Sequence, residues 1–142
     1  MIKKIAFSLA AASMAFTAAP VIAQDGEEEV RTTWELRFID LAPGAEGEFL
    51  ERTEKYYNPA REAAGMKPVQ IHYLHNGDYD LLLVMDMPDG MASFDTHDSA
   101  RRTTYRAALE EAAGGEEALK QLNESGRDLV EGTKSIFSHS HP

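Results

Sequence analysis

The 142-residue sequence contains no cysteine. Disulfides, thiolate metal ligands and thiol nucleophiles are therefore excluded, and so is a lipid anchor attached to cysteine. Basic residues are also scarce, since 14 lysines and arginines stand against 24 aspartates and glutamates, for a formal net charge of −10. Binding to nucleic acid or to an anionic membrane surface depends on Lys and Arg. The composition argues against both partners.

The longest apolar run lies at the start of the chain. Lys3 and Lys4 precede a charge-free stretch over residues 5–19, Pro20 interrupts the run, and Ala23 ends a segment of small residues. A positive start, a short apolar core and small residues at the cut are typical of a secretory signal peptide. A membrane span needs about 20 residues, which makes an uncleaved anchor the weaker alternative. We expect cleavage near Ala23 and a periplasmic or secreted protein.

Cleavage changes the charge and defines the domain. Residues 1–23 contain two lysines and no acid, so the mature chain has 12 basic and 24 acidic residues and a formal charge of −12. Such a charge favours solubility. We interpret residues 24–30 as a flexible acidic arm, residues 31–139 as one domain of common size and residues 140–142 as a tail.

The hydrophobic periodicity predicts the order strand, helix, strand, strand, helix, strand. In the first strand Trp34, Leu36 and Phe38 share one side. Pro59 is expected to divide the first helix near Tyr57. The predicted elements are a strand at 33–41, a helix at 45–64, strands at 69–75 and 78–87 around an Asn76-Gly77 hairpin, helices at 100–113 and 116–130, and a strand at 133–139. This order predicts an α+β, ferredoxin-like βαββαβ fold, an antiparallel sheet with its helices on one face.

Such a sheet leaves its second face without helices. The third strand is apolar on both sides, from Leu81 to Met85. A large exposed apolar face calls for a partner. A second copy packed sheet to sheet about a two-fold axis is the simplest solution, so the sequence predicts a homodimer.

The opening of the mature domain, WELRFIDLAPGAEGEFL, combines an aromatic-Glu-Leu-Arg strand, a Pro-Gly turn and a helix that opens with Phe-Leu. These features, with Pro59 and the following Gly65, resemble the NIPSNAP-like branch of the dimeric α+β barrel superfamily over about residues 31–137. The resemblance implies a ligand pocket between the sheet and the helices of each subunit. The superfamily includes haem-handling enzymes, cofactor-independent monooxygenases and isomerases. The second helical region, residues 91–130, is longer than in the smallest members.

Two histidines are the candidate catalytic residues. His72 shares a strand face with Gln70 and Leu74, and His97 lies in the loop before the second helix. If the face of His72 is the one that the helices cover, His72 points into the pocket, where a histidine can move a proton or hold haem. The alternative for both is a partly exposed histidine without a role. His139 and His141 share a strand side, but two ligands without a third do not make a metal site.

Aromatic and basic residues are the candidate ligand-binding residues. They are Trp34, Phe38, Tyr56, Tyr57, Phe94 and Arg101. Arg101 belongs to the only basic cluster, which is suited to a carboxylate or phosphate; the alternative is a solvated face with Arg106 paired to Glu110. Asp86 interrupts an apolar strand and is a candidate to orient His72 or Arg37.

Two functions remain open from the sequence. The first is an exported small-molecule-binding protein or enzyme of the dimeric α+β barrel class, which acts on an apolar or aromatic ligand and, if catalytic, is of the monooxygenase or isomerase type. The second is a non-catalytic periplasmic interaction or sequestering module, with haem or metal as candidate ligands. Neither P-loop, dinucleotide-binding nor HExxH signatures occur in the sequence, so no motif names a reaction.

Overall fold

A computed structural model of the chain describes residues 32–141. The predicted signal peptide and acidic arm lie outside the described residues. Four strands form one antiparallel sheet in the order β2-β3-β1-β4. The strands are β1 (Thr32–Leu41), β2 (Gln70–Tyr73), β3 (Leu81–Met87) and β4 (Val130–Ser140). Because β1 and β3 are central and β2 and β4 lie at the edges, the sheet has the predicted ferredoxin-like topology.

The helical elements follow β1 and β3 in the chain. They are α1 (Glu46–Arg52), a π-helical turn (Thr53–Tyr57), α2 (Asn58–Ala63), a 3₁₀ turn (Gly90–Phe94), α3 (Ala100–Ala113) and α4 (Glu116–Arg127). None of the helices within residues 32–141 is both long and apolar enough to cross a membrane.

The division of the first helix is confirmed. The backbone N–H of Asn58 donates to the carbonyl of Thr53, five residues earlier, instead of to the usual partner four residues earlier. Pro59 follows directly and has no N–H to donate. One π-helical turn therefore separates α1 from α2, and such turns often occur at functional sites.

The strand register divides the sheet into two faces. One face, here called the helix face, carries the odd-numbered residues of β1 and β3; its buried core is Ile39, Leu41, Leu81, Leu83 and Met85, against which Phe49 of α1 packs. The opposite face, here called the outer face, carries Trp34, Leu36, Phe38, Leu82 and Val84. Its side chains are only half-buried.

The hairpin between β2 and β3 is longer than predicted. Tyr73 pairs with Leu81, so residues 74–80 form the connection rather than a two-residue Asn76-Gly77 turn. The reason lies at Asp80, whose carboxylate accepts the N–H of Leu41 at 2.8 Å. Its own N–H donates to the carbonyl of Ile39 at 2.9 Å. Asp80 is thereby bonded to β1, while its carbonyl accepts the N–H of Leu74 at 2.7 Å.

The end of α4 also differs from the prediction. The helix ends at Arg127 and not at Val130, because Val130 already pairs with Leu41 in the sheet. The N–H of Ala42 donates to the carbonyl of Leu129 at 3.0 Å, which fixes the entry into β4.

Candidate functional site

A cavity of about 810 Å³ lies between the helix face and the helices. Its volume is within the range of small-molecule sites, roughly 300–1,000 Å³. Its apolar wall is formed by side chains of the sheet, of α1 and of the segment before β2. These residues are Ile39, Phe49, Val69, Leu83, Met85 and Val130. The polar residues in the lining come from β1, the π-helical turn, α2, α3, α4 and β4, so every layer of the fold contributes to one space.

Arg61 of α2 is the most buried charged residue in the lining, with 9% of its surface exposed. Its Nη2 pairs with the carboxylate of Asp86 at 2.7 Å, and its Nε donates to the carbonyl of Lys67 at 2.8 Å. A buried guanidinium needs such partners to offset its desolvation. Asp86 therefore orients Arg61 rather than His72 or Arg37.

The third nitrogen of the Arg61 guanidinium is not used in these contacts. Nη1 has no hydrogen-bond partner among residues 32–141. In the same residues, no fully buried side-chain nitrogen or oxygen lacks a partner. Nη1 is consequently accessible, and it belongs to a side chain that lines the cavity.

Arg37 of β1 is held in the same way. Its Nε and Nη2 donate to Oε1 of Glu35 at 2.9 and 2.6 Å. The hydroxyl of Ser135 donates to the same oxygen at 2.9 Å, which fixes the carboxylate between β1 and β4. Nη1 of Arg37 is left without a partner in the described part of the chain and belongs to a residue that lines the cavity.

Two tyrosines also belong to the polar part of the lining, Tyr57 of the π-helical turn and Tyr105 of α3. Burial raises the pKa of both hydroxyls, and the charge of Arg52 opposes that rise at Tyr57. At Tyr105 the neighbouring Tyr57 raises the pKa further, whereas Arg61 and Arg37 lower it. Both phenols are therefore protonated near neutral pH and available to donate hydrogen bonds.

Of the eight site residues predicted from the sequence, Tyr57 alone lines this cavity. Trp34, Phe38 and His72 lie on the outer face, where Phe38 stacks on Tyr79 with ring centroids 5.6 Å apart. Their placement in a pocket depended on the helices covering the even-numbered side of β1. The helices cover the odd-numbered side, and successive strand residues point in opposite directions. The prediction that these three residues line the pocket is therefore wrong.

The other predicted ligand residues are dispersed. Tyr56 lines a separate hollow of about 270 Å³ against α4. Phe94 is 55% exposed and meets Phe137 edge to face at 5.2 Å. Arg101 donates to the carboxylate of Asp89 at 2.8 Å and to the carbonyl of Ala64 at 2.6 Å, so its contacts are structural.

The histidines do not converge. His97 is exposed in the loop before α3, and His72 is exposed on β2. The rings of His139 and His141 lie 5.0 Å apart. Within residues 32–141 no three His, Asp or Glu side chains are placed to hold a metal ion. None of the five histidines lines the cavity, so the cavity does not supply an imidazole for haem.

Among the polar residues of the cavity that were not singled out as binding residues from the sequence are Arg37, Arg61 and Tyr105. One signal was available for Tyr105, because it precedes the buried Leu109 by four residues and so lies on the same side of α3. Arg37 lies two residues before the buried Ile39, which marks its side of β1 as the covered one. We find no sequence signal for Arg61.

The comparisons with known proteins concern the fold. No protein-family model matches the chain, and no curated protein matches it. Among solved structures, the chain is similar to a NIPSNAP family protein of unknown function from Agrobacterium tumefaciens, with 18% identity, coverage of 78% of this chain and 88% of that chain, and a TM-score of 0.49.

Two further solved structures are similar at a lower level. An uncharacterised NIPSNAP domain protein from Burkholderia xenovorans is 14% identical, with coverage of 75% of this chain and 91% of that chain and a TM-score of 0.44. A dimeric protein of unknown function and ferredoxin-like fold from Bacteroides fragilis is 6% identical, with coverage of 77% and 96% and a TM-score of 0.42. The ferredoxin-like topology of the chain rests on its own strand order, and none of these likenesses names a function.

Proposed function

We propose that the chain is an exported small-molecule-binding protein whose ligand occupies the cavity between the helix face and the helices. The observation that carries the proposal is the composition of the cavity wall. One part of it is apolar, with Leu83 and Met85 of β3 at its base, and the other part presents oriented polar groups, with Arg61 and Tyr105 among them. Small-molecule sites commonly combine a mainly apolar wall with a few fixed polar groups.

Binding without catalysis is favoured over acid–base catalysis. A general acid or base must come within hydrogen-bond reach of the substrate. His72 and His97 are exposed and lie outside the cavity lining. The raised pKa values of Tyr57 and Tyr105 make both phenols poor bases at neutral pH. The oxygenase and isomerase hypotheses therefore have no histidine in the cavity that supports them, and we favour the sequestering role.

Export is proposed from the leader. Lys3 and Lys4, the charge-free run over residues 5–19 and the cut expected near Ala23 support secretion to the periplasm or beyond. Intact-mass spectrometry of the protein purified from its native compartment measures the N-terminus directly. It also detects a small molecule retained in the cavity. Recovery of the uncleaved chain in the cytoplasm would contradict export.

The outer face supports a homodimer. Trp34, Leu36 and Phe38 lie side by side with Leu82 and Val84 on this face, half-buried and without a helix over them. A second copy that packs the same face against them would remove this apolar area from water.

The ligand site is tested with N-phenyl-1-naphthylamine, a neutral apolar probe that fluoresces when it leaves water. Ser135 and Ser138 are exposed serines of β4 that lie on opposite faces of the sheet, and only Ser135 lines the cavity. Ser135→Trp fills the cavity mouth and is expected to reduce probe affinity at least tenfold. Ser138→Trp is the matched control and leaves affinity unchanged. Equal loss in both variants, or no binding by the unchanged protein, would refute the proposed site.

A further inference from the structure

Several polar side chains of the cavity lining have hydrogen-bond donors that no acceptor in the described residues uses. Arg37 and Arg61 each have Nε and Nη2 occupied by protein acceptors, and each has Nη1 left over. The hydroxyls of Tyr57 and Tyr105 have no hydrogen-bond partner in residues 32–141. Guanidinium groups only donate, and a phenol with a raised pKa keeps its proton to donate. The ligand group that faces this set must therefore offer acceptors.

The four donors come from four elements that the fold brings to one space. Arg37 is on β1, Tyr57 on the π-helical turn, Arg61 on α2 and Tyr105 on α3. All four line the same cavity. The neighbouring Tyr57 raises the pKa of Tyr105, and the charges of Arg61 and Arg37 lower it. The π-helical turn has a direct role here, since it sets the angular position of Tyr57 relative to Arg61 across Pro59.

The supporting contacts keep the donors in place without a ligand. Arg61 is 9% exposed, and its ion pair with the equally buried Asp86 fixes the guanidinium plane. Asp86 also accepts the N–H of Lys67 at 2.9 Å, so the carboxylate itself is held. Glu35 holds Arg37 and is in turn bonded by Ser135. Donors fixed in advance lose little conformational entropy when they bind a ligand.

We propose that the cavity binds an amphipathic organic carboxylate, with the carboxylate on Arg37, Arg61, Tyr57 and Tyr105 and the apolar body against the sheet. This inference rests on the proposed ligand site and names the ligand class for it. A carboxylate offers two oxygens and about four lone-pair directions, which matches the number of free donor groups. Hydrogen bonds from a guanidinium to an ionised acceptor are roughly twice as strong as those to a neutral acceptor. The apolar wall formed by Phe49, Leu83 and Met85 and their neighbours accommodates an aromatic or aliphatic body.

The formal charges of the lining and of its ion-pair partners sum to zero, so the preference for an anion comes from the donor cluster itself. Glu35 and Asp86 balance Arg37 and Arg61. Arg127, at the end of α4, also lines the cavity and has no ion-pair partner within the described residues. Glu131 contributes one carboxylate to the lining, on β4. An organic cation would face donors alone at the four-residue cluster and is disfavoured there.

The experiment is isothermal titration calorimetry of the purified protein with 2-naphthoate and with 2-naphthamide, two probes of similar size and shape. The carboxylate is expected to bind at least tenfold more tightly than the amide. Tyr105→Phe and Arg37→Gln each remove one donor from the cluster and are expected to lower naphthoate affinity about five- to tenfold, with a smaller effect on naphthamide. Tyr79→Phe and Arg106→Gln are the matched controls outside the cavity lining and leave both affinities unchanged.

The possible results distinguish a wrong ligand class from a wrong ligand site. Equal or tighter binding of naphthamide would overturn the carboxylate assignment while the cavity still binds N-phenyl-1-naphthylamine. A preference for naphthoate that survives both Tyr105→Phe and Arg37→Gln would overturn the assignment of the four donors. If naphthoate, naphthamide and the neutral probe all fail to bind, the proposed function fails together with this inference.

Discussion

The two faces of the sheet are built from the same strands and differ in what covers them. On β3, Leu83 is buried beneath the helices, while the adjacent Leu82 points to the uncovered outer face and is half-buried. The helix face is only partly apolar, since Glu35 and Arg37 share it with Ile39 on β1. The outer face is almost uniformly apolar along the same strand, with Trp34 and Leu36. A mixed face that encloses a cavity is suited to a small ligand, whereas a face with an apolar centre is suited to another protein surface.

The strongest way to disturb the helix face is to remove the ion pair between α2 and β3. Arg61→Met leaves Asp86 buried without its charged partner, which is expected to cost about 3–5 kcal/mol in the free energy of unfolding. Arg106→Met is the control, because Arg106 forms an exposed pair with Asp98 at 3.7 Å, and such pairs contribute about 0–1 kcal/mol. Urea denaturation of the two variants measures the difference. Similar midpoints would show that the buried pair does not fix the helix layer.

The adjacent leucines of β3 compare the two faces directly. Leu83→Ala removes a side chain with 6% exposure from the core and is expected to cost about 2–5 kcal/mol. Leu82→Ala truncates a half-buried side chain on the outer face, and we expect about 1 kcal/mol in the monomer. Denaturation at low protein concentration measures both. A larger loss for Leu82→Ala would show that the outer face carries the greater share of the packing.

The proposed homodimer is tested by placing a charge at the centre of the outer face. Leu36 pairs with Val84 on one side and with Ile136 on the other. Leu36→Glu would place an unpaired carboxylate in a sheet-to-sheet interface, which is expected to raise the dimer dissociation constant at least tenfold. Sedimentation velocity measures the dissociation constant, with Thr103→Glu on α3 as a control of equal charge. A protein that is monomeric at all concentrations before substitution would rule out the homodimer.

The smallest expected effect concerns alkaline pH. Because burial raises the folded-state pKa of Tyr105 above its unfolded value, the stability that it contributes is complete below about pH 10 and is lost as the pH rises through the folded pKa. Tyr105→Phe removes a group that ionises unfavourably, so the variant should lose less stability between pH 9 and pH 11, by about 1 kcal/mol or less. Thermal melts across this range measure the effect, with Tyr79→Phe as control. An identical decline in both variants would show that the hydroxyl of Tyr105 is not buried.

Local signals predicted most of the fold. Helix α3 runs from Ala100 to Ala113 as its periodicity indicated, and Ser99 caps it by accepting the N–H of Arg102 at 3.2 Å. Pro59 predicted the irregularity in the first helix because its missing N–H removes a hydrogen bond to a carbonyl only one turn earlier. The boundary at Val130 was missed because it depends on pairing with Leu41, far away in the chain.

The site was harder to predict than the fold because the alternating pattern of a strand is the same whichever of its two sides the helices cover. It separates Trp34 and Phe38 from Glu35 and Arg37, but it does not say which side the helices cover. The placement of His72 in the pocket required the helices to cover the aromatic side, and they cover the other side. Arg61 and Tyr105 reach the cavity through the packing of α2 and α3 on the sheet, which is a tertiary property that the sequence pattern does not contain.

Methyl-resolved NMR spectroscopy with 2-naphthoate and N-phenyl-1-naphthylamine tests the central claim most directly, since it reports on each face of the sheet separately. If the ligand occupies the cavity, the methyl groups of Leu83 and Met85 shift on titration with either probe, while those of Leu82 and Leu36 stay within error. Shifts at Leu82 and Leu36 with none at Leu83 and Met85 would contradict the account and move the ligand site to the outer face.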